Sequence, residues 1–144
     1  MRYWKFLILT LAFASQTPAL AGGIAVKLYR NPSCSCCDAY AQYLRNNGFD
    51  VEIIDTTNAT SIHQKYAIPE QLEGCHTATI GGYVFEGLVP AEYIKRVIDE
   101  HRPVKGLSVP GMPLGAPGMP GAKQGPINVY YLDATSAPRI FATF

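Results

Sequence analysis

Three thiols occupy four consecutive residues, Cys34-Ser35-Cys36-Cys37, where a strand-like run gives way to a helical one. With Cys36 and Cys37 adjacent and only Cys75 elsewhere, no pairing staples distant parts of the chain more than once. The spacing argues against a scaffold held by disulfides, so the fold is expected to come from an apolar core. The run Ile24 to Tyr29 reads as a strand and the run Cys36 to Asn47 as a helix. The thiols then sit on the loop and first turn of that helix, where unpaired backbone N–H groups favour negative charge and raise the thiolate fraction. Thiolate both attacks disulfides and binds soft metal ions. Two readings follow: a redox dithiol, Cys34 and Cys37 forming a C-x-x-C pair, or a thiolate metal site.

The first residues set the compartment. Arg2 and Lys5 precede an apolar run from Phe6 to Ala14, and Ala19-Leu20-Ala21 offers the small residues of a cleavage site, so residues 1–21 read as a secretory signal peptide. The apolar run is short for a membrane span. Without the signal, Arg2 and Lys5 leave the count of 12 basic residues, so 10 face 11 acidic ones and the formal charge moves from +1 to −1. No basic patch points to nucleic acid.

From Gly22 the elements come in a recognisable order. After the first strand, Asn31-Pro32-Ser33 turns the chain. Cys37, Tyr40, Ala41 and Leu44 then mark the buried stripe of a helix that ends at Asn47-Gly48. Phe49, Val51 and Ile53 alternate in a second strand closing near Asp55, and a polar stretch leads to a short helix over Ile62 to Tyr66, stopped by Pro69. Thr77–Ile80 and Tyr83–Phe85 read as two strands joined by Gly81-Gly82, and Pro90 opens a helix ending near His101. This β-α-β-α-β-β-α order predicts a thioredoxin-like α/β domain over residues 22–102, with the cysteine motif at its usual reactive position.

Residues 103–126 contain twelve Pro or Gly residues in twenty-four, which predicts no packed helix or strand there. The segment carries Gly111-Met112-Pro113 and Gly118-Met119-Pro120, and these are the only methionines beyond Met1. Ile127–Leu132 and Arg139–Phe144 read as a terminal β-hairpin that docks back and draws the segment across the domain surface. Residues 103–144 thus form a C-terminal extension expected to contribute to the site.

Thiolate and thioether sulfurs are soft donors that select monovalent copper. In a thioredoxin-like fold the loop before the third strand runs beside the cysteine loop and usually carries a cis-proline; this chain has Gly74-Cys75-His76-Thr77. The candidate ligands are therefore Cys34, Cys36, Cys37, Cys75, His76, Met112 and Met119, with no separate catalytic group. His63 and His101 read as ordinary structural residues.

Asn31-Pro32-Ser33-Cys34-Ser35-Cys36-Cys37, Gly74-Cys75-His76-Thr77 and the tail Val109-Pro110-Gly111-Met112-Pro113 with Pro117-Gly118-Met119 together resemble the periplasmic copper-resistance proteins of the CopG type. The resemblance spans essentially the whole mature chain. It implies a thioredoxin domain with a metal-binding C-terminal extension, a cysteine-bridged cluster of several copper ions per monomer, and interconversion of Cu(I) and Cu(II) beside copper efflux components. Cys34, Cys36 and Cys37 match its CxCC ligands. The mature protein is then expected to be a periplasmic monomer, with no nucleic acid and no membrane attachment. A thiol-disulfide oxidoreductase and a copper carrier without redox change stand as alternatives.

Overall fold

The computed structural model describes residues 22–133 and 137–144; the expected signal peptide, residues 1–21, lies outside them. Strand β1 (Ile24–Arg30) leads into helix α1 (Ser35–Asn46) through a tight turn in which Asn31 Oδ1 accepts from the Ser33 amide at 3.0 Å and the Ser33 hydroxyl at 2.7 Å. Helix α1 buries Cys37, Tyr40, Ala41 and Leu44, the stripe expected from their spacing. Gly48 ends it with φ +87°, and β2 (Phe49–Asp55) returns parallel to β1.

Helix α2 spans Ala59–Lys65 and starts three residues before the predicted Ile62. Asn58 explains the difference, because its side chain accepts from the Ser61 amide at 3.0 Å and so caps a turn that looked like polar lead-in. After a 3-10 turn at Glu70–Leu72 come β3 (His76–Ile80) and β4 (Tyr83–Gly87), antiparallel, then α3 (Ala91–Asp99) with Pro90 just ahead of its first turn. The β-α-β-α-β-β-α order predicted for residues 22–102 is the order observed.

One expectation is corrected beyond α3. Residues 103–126 do contain a packed strand, β5 (Gly106–Val109), whose four residues are all buried and which pairs parallel to β4. The local run Leu107-Ser108-Val109 is apolar enough to pair, and Ser108, its polar member, donates to the Leu72 carbonyl at 2.6 Å. The predicted hairpin follows as β6 (Asn128–Tyr131) and β7 (Ile140–Thr143), antiparallel and docked on β5. The result is a mixed α/β fold with one seven-stranded sheet, ordered β2-β1-β3-β4-β5-β6-β7, and three helices. Leu28, Tyr40, Leu44, Phe85, Ile94 and Leu107 lie fully buried at its centre. Among the described residues, no helix is long and apolar enough to cross a membrane.

The end of β4 tolerates no side chain. Gly87 has φ +68°, and a Cβ there would overlap the Val109 carbonyl oxygen of β5. Gly87→Ala should therefore lower stability by about 3 kcal/mol through backbone strain and a lost strand pairing. Gly125→Ala, a position open to solvent, should move it by less than about 0.5 kcal/mol, with urea unfolding as the measurement.

Candidate metal centre

Strand register assembles the site. In the antiparallel β1–β3 pair Arg30 lies opposite His76, so the residue before β3, Cys75, arrives beside the loop that follows β1. Cys36 Sγ lies 3.2 Å from Cys34 Sγ and 3.6 Å from Cys75 Sγ, and Cys37 Sγ lies 4.0 Å from Cys75 Sγ. All four sulfurs fall within 4.8 Å of one another, and no other such group of His, Cys, Asp or Glu occurs among the described residues. Cys34 and Cys37 are joined by a disulfide, leaving Cys36 and Cys75 as free thiols. No peptide bond among the described residues is cis, and Cys75, in the segment before β3, meets the cysteine loop at Cys36.

Burial shapes the chemistry of these groups. It pushes the Cys75 thiol up to about 12, with the Cys36 thiol adding to the effect. Burial thus disfavours a bare thiolate at Cys75. His76 is buried, and burial holds its imidazole down near 4, hence neutral. Its Nδ1 lies 3.2 Å from Cys75 Sγ and its ring packs 4.5 Å from that of Tyr40, while Nε2 makes no hydrogen bond of ordinary geometry. Arg30 fixes the loop from below, pairing with Asp38 in the first turn of α1 at 2.8 Å and Asp55 at the end of β2 at 3.0 Å. Each pair has a half-exposed carboxylate and contributes at most about 1 kcal/mol.

The extension crosses this end of the sheet. Met112 Sδ lies 3.9 Å from Cys36 Sγ, and Met112 is 56% exposed. Met119 packs partly on the core and lines, with Met112, an open cleft of about 420 Å³ shared with Ser35, Cys36 and Ala39. Gly118 seats the crossing: it has φ +88°, and a Cβ there would lie 2.9 Å from the Tyr40 amide nitrogen and 3.1 Å from the Cys36 carbonyl oxygen. Sequence reasoning passed over Gly118, although a Gly between Pro117 and Met119 is the only local signal available for such a close approach.

Of the seven candidate ligands, the structure thus brings together Cys34, Cys36, Cys37 and Cys75, sets His76 against Cys75, brings Met112 to the rim and leaves Met119 in the adjoining cleft. His63 is buried between Glu73 and Glu86 at 3.2 Å from each, a satisfied structural residue as expected. A second open cleft of about 410 Å³ lies over Ala25–Lys27 and Asp50–Glu52 and holds no soft donor.

The arrangement has relatives. A family model described as a protein of unknown function, DUF411, matches residues 72–119, the stretch from the turn before Cys75 to Met119. No curated protein sequence matches the chain. Two solved structures described as copper resistance protein copG, form 2 and form 1, are each 31% identical over 85% of this chain and 98% of theirs, with TM-scores of 0.77 and 0.76.

The seat at Gly118 is directly testable. Gly118→Ala should lift the extension from α1 and raise the rate of limited proteolysis within residues 110–125 about tenfold, while Gly121→Ala, where no backbone lies within 4 Å, changes it less. Equal rates in the two variants would remove the seat.

Proposed function

The chain belongs to the family of the copper resistance protein copG, and from that premise we propose that it is an exported, periplasmic copper-binding protein. Its cargo is Cu(I), held in a cysteine-bridged cluster by Cys34, Cys36, Cys37 and Cys75. The observation that carries this reading is the four sulfurs within 4.8 Å of one another. The donors suit the ion, since all four are soft, and the carboxylate in the first turn of α1, Asp38, is tied to Arg30. A thiolate can bridge two ions, and each Cu(I) offsets the charge of one thiolate, so a compact sulfur group at this spacing favours several ions over one.

Residues 22–102 are read as a thioredoxin-like domain and residues 103–144 as an extension that completes the site. Met112 caps the cluster from the solvent side as a neutral donor, Met119 is a further thioether in the same cleft, and His76 buttresses Cys75 or ligates beside it. The protein acts as a monomer handing copper toward efflux components. Redox conversion is supported by the Cys34–Cys37 disulfide. Two thiolates oxidised to that disulfide release two electrons, enough to reduce two Cu(II) to Cu(I), and two electrons from an external reductant reopen it. A carrier without redox change would use the same residues and keep that bond out of its cycle.

Metal analysis of reduced mature protein loaded with Cu(I) should give more than one ion per chain, and Cys36→Ser should lower that number; one ion or none would sink the cluster. Met112→Ala with Met119→Ala should weaken Cu(I) binding by about tenfold without changing the fold.

The same disulfide favours a second reading, a thiol-disulfide oxidoreductase using Cys34 and Cys37. Against it, Cys36 and Cys75 crowd the pair and would trap mixed disulfides. Insulin reduction by metal-free protein separates the two: turnover without copper uptake would put the oxidoreductase first.

A further inference from the structure

Thioredoxin-like proteins fix the loop facing their cysteines with a cis-proline, and this chain has none among its described residues. Something else must hold Cys75 against the other sulfurs, because a loop residue free to move by an ångström no longer shares ions with them. The structure assigns that task to Glu86: we propose that its buried carboxylate is the positioning residue that clamps the Gly74–Thr77 segment and so holds Cys75 in the sulfur cluster.

Glu86 lies on β4, directly opposite Thr77 in the β3–β4 register, and is fully buried. One oxygen accepts from the Gly74 amide at 2.7 Å and the other from the Thr77 hydroxyl at 2.6 Å. The two donors bracket Cys75 and His76, one on each side. The oxygen that accepts from Gly74 also receives His63 Nε2 at 3.2 Å, and His63 Nδ1 lies 3.2 Å from Glu73 Oε1. A single carboxylate thus joins α2, the loop before β3, β3 and β4. A buried carboxylate is a poor way to stabilise a fold, since a well-packed apolar side chain of similar size usually does as well or better. What it supplies is direction: two short charge-assisted bonds leave the segment one arrangement.

The loop is held elsewhere too, by Ser108 on the Leu72 carbonyl at 2.6 Å and the Gly111 amide on the Glu73 carbonyl at 3.4 Å. Those contacts lie before Gly74. Among the described residues, Glu86 is the side chain that bonds on both sides of Cys75. The sequence did not single out Glu86, which lies just beyond the strand predicted over Tyr83–Phe85 and inside the observed one.

The test compares Glu86→Ala and Glu86→Gln in reduced mature protein, each alone and with Cys75→Ser. Gln keeps both bonds, its carbonyl accepting from Gly74 and its amide donating to the Thr77 hydroxyl. Cu(I) affinity is read by competition with a chromophoric Cu(I) chelator. Glu86→Ala should weaken it by about tenfold or more, as loss of a group that orients a ligand does, and Glu86→Gln by less than about threefold. With Cys75→Ser already present, Glu86→Ala should add nothing. Equal losses in both backgrounds, or a Gln variant as impaired as the Ala variant, overturn the proposal. This arm rests on the copper reading above. The second arm needs no metal: in metal-free reduced protein, Glu86→Ala should speed iodoacetamide alkylation of Cys75 about tenfold while leaving Cys36 unchanged, and Thr77→Val, which removes one bond without changing shape, should shift it the same way by less. If Cys75 reacts at the unaltered rate in both variants, Glu86 does not position it. If the alkylation shifts appear and wild-type protein takes up no Cu(I), the clamp stands and the copper function falls.

Discussion

The antiparallel pairing of β1 with β3 is the constraint on which the rest of the site depends. It sets the last residue of β1, Arg30, against the first residue of β3, His76, and so makes the loop leaving one strand and the loop entering the other neighbours. Neither loop holds a metal site alone: the first contributes Cys34, Cys36 and Cys37, the second Cys75. Because side chains alternate along a strand, the same register sorts the residues after Cys75 between the two faces of the sheet. His76 turns to the α1 face, where it packs on Tyr40, and Thr77 turns to the α2 face, where it meets Glu86 and, through it, His63. A slip of one residue would exchange these faces and pull Cys75 away from the sulfurs.

Much of this was legible from residues alone. The stripe Cys37, Tyr40, Ala41 and Leu44 marked α1, Gly48 its end and Gly81-Gly82 the hairpin, since helical period, left-handed caps and two-residue turns are local properties. The meeting of Cys75 with the CxCC loop was legible only through topology, by reasoning from element order to neighbouring loops. What stayed hidden was contextual. Strand β5 escaped because four pairing residues were averaged into twenty-four rich in Pro and Gly, and its partner β4 lies some twenty residues earlier. The start of α2 escaped because Asn58 reads as loop until its side chain is seen capping Ser61. Met112 and Met119 look equivalent in sequence, each between Gly and Pro, yet Met112 sets its sulfur 3.9 Å from Cys36 Sγ while Met119 packs partly on the core.

The flanking strands explain how this irregular segment is placed. β5 fixes its start and β6 its end, and between them Ala116 is buried, its amide donating to the Pro113 carbonyl at 3.2 Å while the Met119 amide donates to the Ala116 carbonyl at 2.9 Å. Five prolines lower the number of unfolded conformations the segment gives up, so a few such turns suffice to order it. Its glycines serve the opposite need, close approach, and Gly118 against the backbone of α1 is where that need is met. Composition that signals a linker in one setting here describes a strap whose ends are both held.

Under the copper reading, the disulfide and the cluster are rival uses of the same sulfurs, and the geometry says what each state retains. With Cys34 and Cys37 joined, Cys36 and Cys75 remain 3.6 Å apart, with Met112 3.9 Å from Cys36. That is a smaller soft site, two thiols and a thioether, set at the rim where the cleft opens. Reduction adds two thiolates on the inner side, in a place where burial already disfavours the charge of Cys75. Extra anionic sulfur there is stable only if cations enter with it, so opening the disulfide and filling the cluster assist each other, and emptying the cluster favours closing the bond. Copper occupancy and thiol oxidation then form one linked equilibrium, and neither can be read from the protein without fixing the other.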